Sequence, residues 1–161
     1  MITNQRQFDE ILIKKLSDCV EYLSQKIYEC LYQHILDDVY YSGGENFWYN
    51  NGTKEPTWEF LNSFEFEGIK KNINEVTNTL FYNWMSMSSP NQSNPYVHGN
   101  YNEGIDRRES LAEILNVYGE SPSGTFDLRN KKRNAFWDEA LKEVNQNFDK
   151  WANEACNKYL K

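Results

Sequence analysis

Two histidines are among the side chains most able to carry chemistry in this 161-residue chain. His34 is followed by Asp37 and Asp38, a spacing that places an imidazole and a carboxylate on one face of a helix. Such a pair could begin a metal site, but a polar pair on a solvated helix face accounts for it equally. His98 stands beside Gly99, where it could act as a catalytic base or make a single loop hydrogen bond. We favour the structural interpretation of both histidines and predict no catalytic residue, no metal and no cofactor.

The cysteines and acidic pairs point the same way. Cys19, Cys30 and Cys156 are widely spaced, and each falls within an apolar helical pattern rather than a C-x-x-C pair. We therefore predict three small buried hydrophobic residues in a reducing compartment. Glu65 and Glu67, two apart, lie on one face of a strand, which is typical of a solvated edge. The chain also lacks the common phosphate-loop, dinucleotide, zinc-protease, nucleophile-elbow and EF-hand patterns, which disfavours the enzymes that depend on them.

The charge balance is acidic, with 17 Lys plus Arg against 24 Asp plus Glu and a formal charge of −7. A protein that grips nucleic acid by its phosphates needs a cationic face, so this balance argues against such a role. The basic run of residues 129–133 directly precedes the last predicted helix. It could be a solvated patch, a dock for an acidic partner surface, or a contact to DNA phosphates.

Apolar residues recur at steps of three and four from residue 8 to residue 39, which predicts one long helix over about residues 5–39. At 1.5 Å per residue this helix would extend roughly 50 Å, longer than a compact domain of this size is wide. We expect one end to protrude or to be covered by a neighbour. The same periodicity predicts a short helix over 105–118 and a closing amphipathic helix over about 136–160.

The centre of the chain has strand character. Aromatic and β-branched residues over 60–69 and 76–85 predict antiparallel strands, and the polar stretch 86–104 predicts a long loop or flap. The expected fold is a single α+β domain over 1–161. Its long N- and C-terminal helices pack on a small antiparallel β-sheet, with a short third helix and long loops. With no long apolar run and no signal-peptide pattern, we expect a soluble protein that does not contact a membrane.

Aromatic rings concentrate in the loop of residues 42–56 and beside it. Such rings either tuck back onto their own domain or make subunit contacts, and the sequence leaves both possibilities open. Together with the basic run they give the following candidates for subunit-interface residues: Tyr40, Tyr41, Phe47, Trp48, Tyr49, Trp58, Tyr96, His98, Arg129, Lys131, Lys132 and Arg133.

The order of these features resembles the tail-completion, or neck, proteins of tailed bacteriophages. The shared order is a long N-terminal helix, an aromatic loop, a Pro-Thr-Trp-Glu-Phe-Leu-Asn-Ser-Phe segment at 56–64 entering a strand, a His-Gly flap, a short helix and a closing helix introduced by residues 133–138. In that family an aromatic-Pro-x-x-aromatic-Arg-Thr-Gly-x-Leu-x-x-Ser segment occupies the place of residues 56–63. Here Leu61 and Ser63 loosely take the Leu and Ser places, and the Arg-Thr-Gly core is missing.

The resemblance implies outer helices around a small antiparallel sheet and a ring of six or twelve copies between the portal or adaptor complex and the tail tube. It implies a virion protein that is assembled in the host cytoplasm and has no catalytic residue. DNA would pass through the lumen of the ring without specific binding, and acidic residues facing that lumen would keep it mobile.

Two other functions stay open from the residues alone. One is a binding module that presents Phe47, Trp48 and Tyr49 to a host protein. The other is a small enzyme or toxin that uses His98 with Arg107 or Glu109.

Overall fold

The computed structural model describes residues 4–41, 58–72, 75–89, 99–100, 104–106, 108–117 and 135–161. The chain is α+β, as the sequence predicts. The helices are α1 (Gln5–His34), continued by a π-helix (Ile35–Tyr41), α2 (Leu111–Val117) and α3 (Phe136–Tyr159), with 3-10 turns at Leu61–Ser63 and Trp84–Ser86. The strands are β1 (Phe64–Phe66), β2 (Lys70–Lys71), β3 (Val76–Thr77), β4 (Leu80–Tyr82), β5 (Gly99–Asn100) and β6 (Ile105–Asp106).

The long N-terminal helix is confirmed, and its last turns are wider than expected. Asn4 caps its start, since its side-chain oxygen accepts the backbone N–H of Gln7 at 3.0 Å. In the π-helix, Ile35 and Tyr40 are both buried although they are five residues apart. The i→i+5 pattern of a π-helix is what brings residues at that spacing into line.

The strands form three pairs, β1 with β4, β2 with β3, and β5 with β6. The register of β2 and β3 is antiparallel and places Lys70 opposite Thr77, and β5 and β6 are also antiparallel. The prediction of a helix from residue 105 was wrong at its start, because Ile105 and Asp106 form β6 and α2 begins at Leu111. Gly104 precedes β6 with φ of +66°, a conformation that glycine adopts without strain and that breaks a helix.

The chain divides into two compact units, and the single domain over 1–161 stays a prediction. The first unit comprises residues 1–30, 66–81 and 142–161, and the second comprises 31–65 and 82–141. No helix in the described ranges is long and apolar enough to cross a bilayer.

In the first unit, α1 packs against the C-terminal half of α3 and against the strand region. Tyr22 donates a hydrogen bond to Glu154 at 2.9 Å, and its ring lies edge-on to Tyr159 with centroids 6.3 Å apart. On the other side, Ser24 accepts the amide N–H of Asn78 at 3.0 Å. These contacts hold α1 between α3 and the β-region of this unit.

The core of the second unit is a cluster of aromatic rings. Phe60 lies edge-on to Phe64, Tyr82 and Phe136, with centroid separations of 5.3, 5.8 and 5.8 Å. Phe60 and Phe136 are buried. Edge-to-face packing of this kind stabilises a core beyond the apolar area that it buries.

Candidate functional site

The first turns of α1 expose a continuous apolar stripe. Phe8, Ile11, Leu12 and Leu16 recur at helical spacing, and each side chain is 36–45% exposed. The contact between Lys15 and the carbonyl oxygen of Lys161, at 2.6 Å, marks the part of α1 that meets the end of α3. The stripe therefore begins about two helical turns before this contact, and its large hydrophobic side chains stay partly exposed to solvent.

The same helical turns also carry charged and polar side chains, so this segment is amphipathic. Arg6 pairs with Glu10 at 3.0 Å, and Gln5 donates to Asp9 at 2.7 Å, both one turn apart on the solvated surface. Exposed pairs of this type contribute little to stability. They leave the apolar stripe as the distinctive feature of the N-terminal turns.

Two of the predicted interface residues pack onto their own unit instead. The Tyr40 ring is buried and lies 4.8 Å from that of Trp58, centroid to centroid, while the Tyr40 hydroxyl accepts the backbone N–H of Leu61 at 3.3 Å. Burial is the main cause that raises the pKa of Tyr40. The Tyr40 ring is thus covered within its own unit, and a role of Tyr40 at a subunit interface stays a prediction. Trp58 is half-buried and has φ of +58°, a strained conformation for a bulky residue.

The other predicted interface residues lie outside the part of the chain whose side chains are described. These are Tyr41, Phe47, Trp48, Tyr49, Tyr96, His98, Arg129, Lys131, Lys132 and Arg133. Their role stays a prediction.

Of the two carboxylates that the sequence places on the face of His34, Asp38 is the one that pairs with it. Its Nδ1 atom lies 3.0 Å from the Asp38 Oδ2 atom, where α1 passes into the π-helix. The two side chains are only 21% and 11% exposed, so the expectation of a solvated face was wrong. Asp37, in contrast, is exposed and accepts a hydrogen bond from Gln33 at 2.9 Å. Both aspartates lie in the π-helix, and Asp38 is the buried one of the two.

The cysteines follow the prediction in part. Cys19 and Cys30 are buried, whereas Cys156 is exposed, which corrects the expectation for that residue. The Cys19 thiol donates to the carbonyl oxygen of Ala155 at 3.7 Å, and Ala155 is the residue directly before Cys156. Burial, and then the neighbouring Cys156, raises the pKa of Cys19. Burial and nearby Glu143 raise the pKa of Cys30 to about 11.

Arg108 is the centre of a polar cluster that the sequence analysis did not predict. Its guanidinium donates to both oxygens of Asp106, the closest at 2.8 Å, and to the carbonyl oxygen of Met87 at 2.8 Å. It also lies over the Trp84 ring, 5.2 Å from the centroid. The only sequence signal for this group was an Asp two residues before an Arg. With these partners the guanidinium links β6 to the residue that follows the Trp84–Ser86 turn. Of the residues in the enzyme hypothesis, Glu109 is exposed, and Arg107 lies outside the described ranges.

Comparison of the chain with known protein families, with curated proteins and with solved structures finds no match.

Proposed function

We propose that this chain is a non-enzymatic structural subunit of the bacteriophage neck, which forms a ring that joins the portal or adaptor complex to the tail. The observation that supports an assembly role most directly is the apolar stripe of Phe8, Ile11, Leu12 and Leu16. Exposed apolar patches at helical spacing are typical of surfaces that another polypeptide covers. The more specific neck role comes from the resemblance in the order of sequence features.

The free energy gained by burying the stripe is small for one contact, so the stripe is suited to an assembly in which the contact is repeated. Full burial of a Leu, Ile or Phe side chain is worth about 1.5–3 kcal/mol, and each of these side chains has somewhat over a third of its surface still to bury. Covering all four would therefore contribute on the order of 3 kcal/mol per subunit. One such contact is too weak to hold a pair of free molecules, but contacts repeated around a closed ring reinforce each other.

The polar clusters in the described residues support the same interpretation. Arg108 is engaged by a carboxylate, a carbonyl oxygen and an aromatic ring of its own chain. His34 is held by Asp38 away from solvent. Polar groups that are bonded to partners of their own chain stabilise local structure. This favours a structural role over a catalytic one.

The test is a complementation experiment with a matched control. Particles lacking this gene are supplied with the wild-type chain, with a Phe8→Ser/Leu12→Ser variant, or with Lys14→Ser, which changes an exposed polar residue on the same turns. We expect the wild type and Lys14→Ser to restore joined heads and tails in electron micrographs. The double variant should keep its helical circular dichroism but leave heads and tails separate. Joined particles without the gene, or full rescue by the double variant, would contradict the proposal.

A further inference from the structure

The Cys19 thiol lies against the backbone of the residue that precedes Cys156, where α1 packs on α3 in the first unit. The Cys19 sulfur lies 3.7 Å from the carbonyl oxygen of Ala155, so it contacts the backbone of the residue bonded to Cys156. Ala155 itself is 1% exposed. A methyl side chain at the contact lets the two helices approach closely, and a disulfide requires such an approach.

Polar contacts on both sides hold this crossing in place. Tyr22, one turn after Cys19, bonds to Glu154 at 2.9 Å. Lys15, one turn before Cys19, bonds to the carbonyl oxygen of Lys161 at 2.6 Å. Burial, and after it the neighbouring Cys156, raises the pKa of Cys19, in keeping with this placement. The fold therefore brings the Cys19 sulfur to the backbone beside Cys156, and hydrogen bonds on both sides of this contact hold the two helices together.

The two thiols differ in accessibility, and this difference sets an order of reaction. Cys156 is exposed and can meet a small reagent from solvent, whereas Cys19 is only 6% exposed. An accessible sulfur reacts first, and a buried neighbour then resolves the product. The Cys19 sulfur already lies against the residue that precedes Cys156.

We propose that Cys19 and Cys156 are a disulfide-forming pair that couples α1 to α3 by exchange with a small disulfide such as oxidised glutathione. The Cys156 thiolate attacks one sulfur of the oxidised glutathione, which forms a mixed disulfide and releases one glutathione thiolate. The Cys19 sulfur then attacks the Cys156 sulfur, forms the internal disulfide and releases the second glutathione. The two protein thiols lose two electrons and two protons, and both electrons and both protons end on two molecules of reduced glutathione. The inference does not depend on the neck function.

The bond would constrain the unfolded chain, because it closes a loop of about 140 residues, and constraint of this kind stabilises the folded state. We expect the oxidised protein to melt roughly 5–10 °C above the reduced protein. The pair would thus make the stability of the first unit depend on the redox state of its surroundings.

The experiment is peptide mapping of the native, full-length chain after equilibration with oxidised glutathione and quenching with acid. Trypsin places Cys19 in the peptide 16–26, Cys156 in 151–158 and Cys30 in 27–54. We expect the free-thiol count to fall from three to one, with peptides 16–26 and 151–158 joined and Cys30 still free. Persistent glutathione on Cys156, a bridge that contains Cys30, or three remaining thiols would each overturn the proposal.

Variants separate the two steps. Cys30→Ser should form the same internal bond as the wild type. Cys19→Ser should stop at the mixed disulfide on Cys156, and Cys156→Ser should abolish the difference in melting temperature between oxidised and reduced protein. If Cys19→Ser does not fold, the peptide map of the wild type still decides the question, since it requires no substitution. Melting that is the same before and after oxidation of the wild type would also contradict the coupling of the helices.

Discussion

Replacement of Phe60 by leucine tests the aromatic core of the second unit. The Phe60 ring is 1% exposed and lies edge-on to Phe64, Tyr82 and Phe136 at centroid separations of 5.3–5.8 Å. Each aromatic pair contributes about 0.5–1.5 kcal/mol beyond the area that it buries. Leucine restores much of the apolar volume but none of the three ring contacts. We therefore expect Phe60→Leu to lower the free energy of unfolding by about 2–4 kcal/mol.

The assay is urea unfolding followed by circular dichroism and by tryptophan fluorescence, with Phe81→Leu as the matched control. Phe81→Leu is the same substitution at a position that is 38% exposed. The control should lose less than about 1 kcal/mol, since surface substitutions rarely cost more. The reasoning is refuted if the two variants lose the same stability, or if Phe60→Leu unfolds at the urea concentration of the wild type.

Three further outcomes follow from single contacts. Asn116 accepts the backbone N–H of Trp137 at 2.9 Å in the first turn of α3, so Asn116→Ala should cost about 1 kcal/mol in urea unfolding, and an unchanged unfolding midpoint would refute this capping role. Burial raises the pKa of Tyr82, so its contribution to stability is present below the unfolded phenol value of about 10 and is lost as the pH rises further. Tyr82→Phe should therefore show a shallower loss of melting temperature above pH 10 than the wild type, and an equal slope would argue against a buried phenol. Iodoacetamide at pH 8 should label exposed Cys156 at least about tenfold faster than buried Cys30, whose pKa is raised to about 11, as read by mass spectrometry over time.

The elements that the sequence predicted well are those specified by short-range periodicity. The steps of three and four that predicted a helix over residues 5–39 correspond to α1 and the π-helix, and the closing helix matches α3. The helix predicted from residue 105 was wrong at its start, since its first residues pair with a strand five residues or more away. That pairing competes with helix propensity and is invisible to a pattern confined to one segment.

At the candidate sites, too, local spacing predicted some features and contacts between distant segments decided the others. The spacing after His34 correctly placed an imidazole and a carboxylate on one helix face, but it did not select Asp38, four residues on, over Asp37, three residues on. It did not predict that the pair is buried, since burial depends on which other segments cover that turn. Tyr40 is a similar case, because its stacking on Trp58 joins residues 18 positions apart in the chain.

The amino-acid sequence by itself determined the α+β class, the two long helices and the apolar stripe on α1, because each of these follows from side chains a few residues apart. Only the tertiary structure decided that Cys19 lies against the backbone next to Cys156, and that Cys156 is exposed while Tyr40 is buried. Those features depend on contacts between segments far apart in sequence. Local spacing fixes which face of a helix is apolar, but the packing of the whole chain fixes what that face meets.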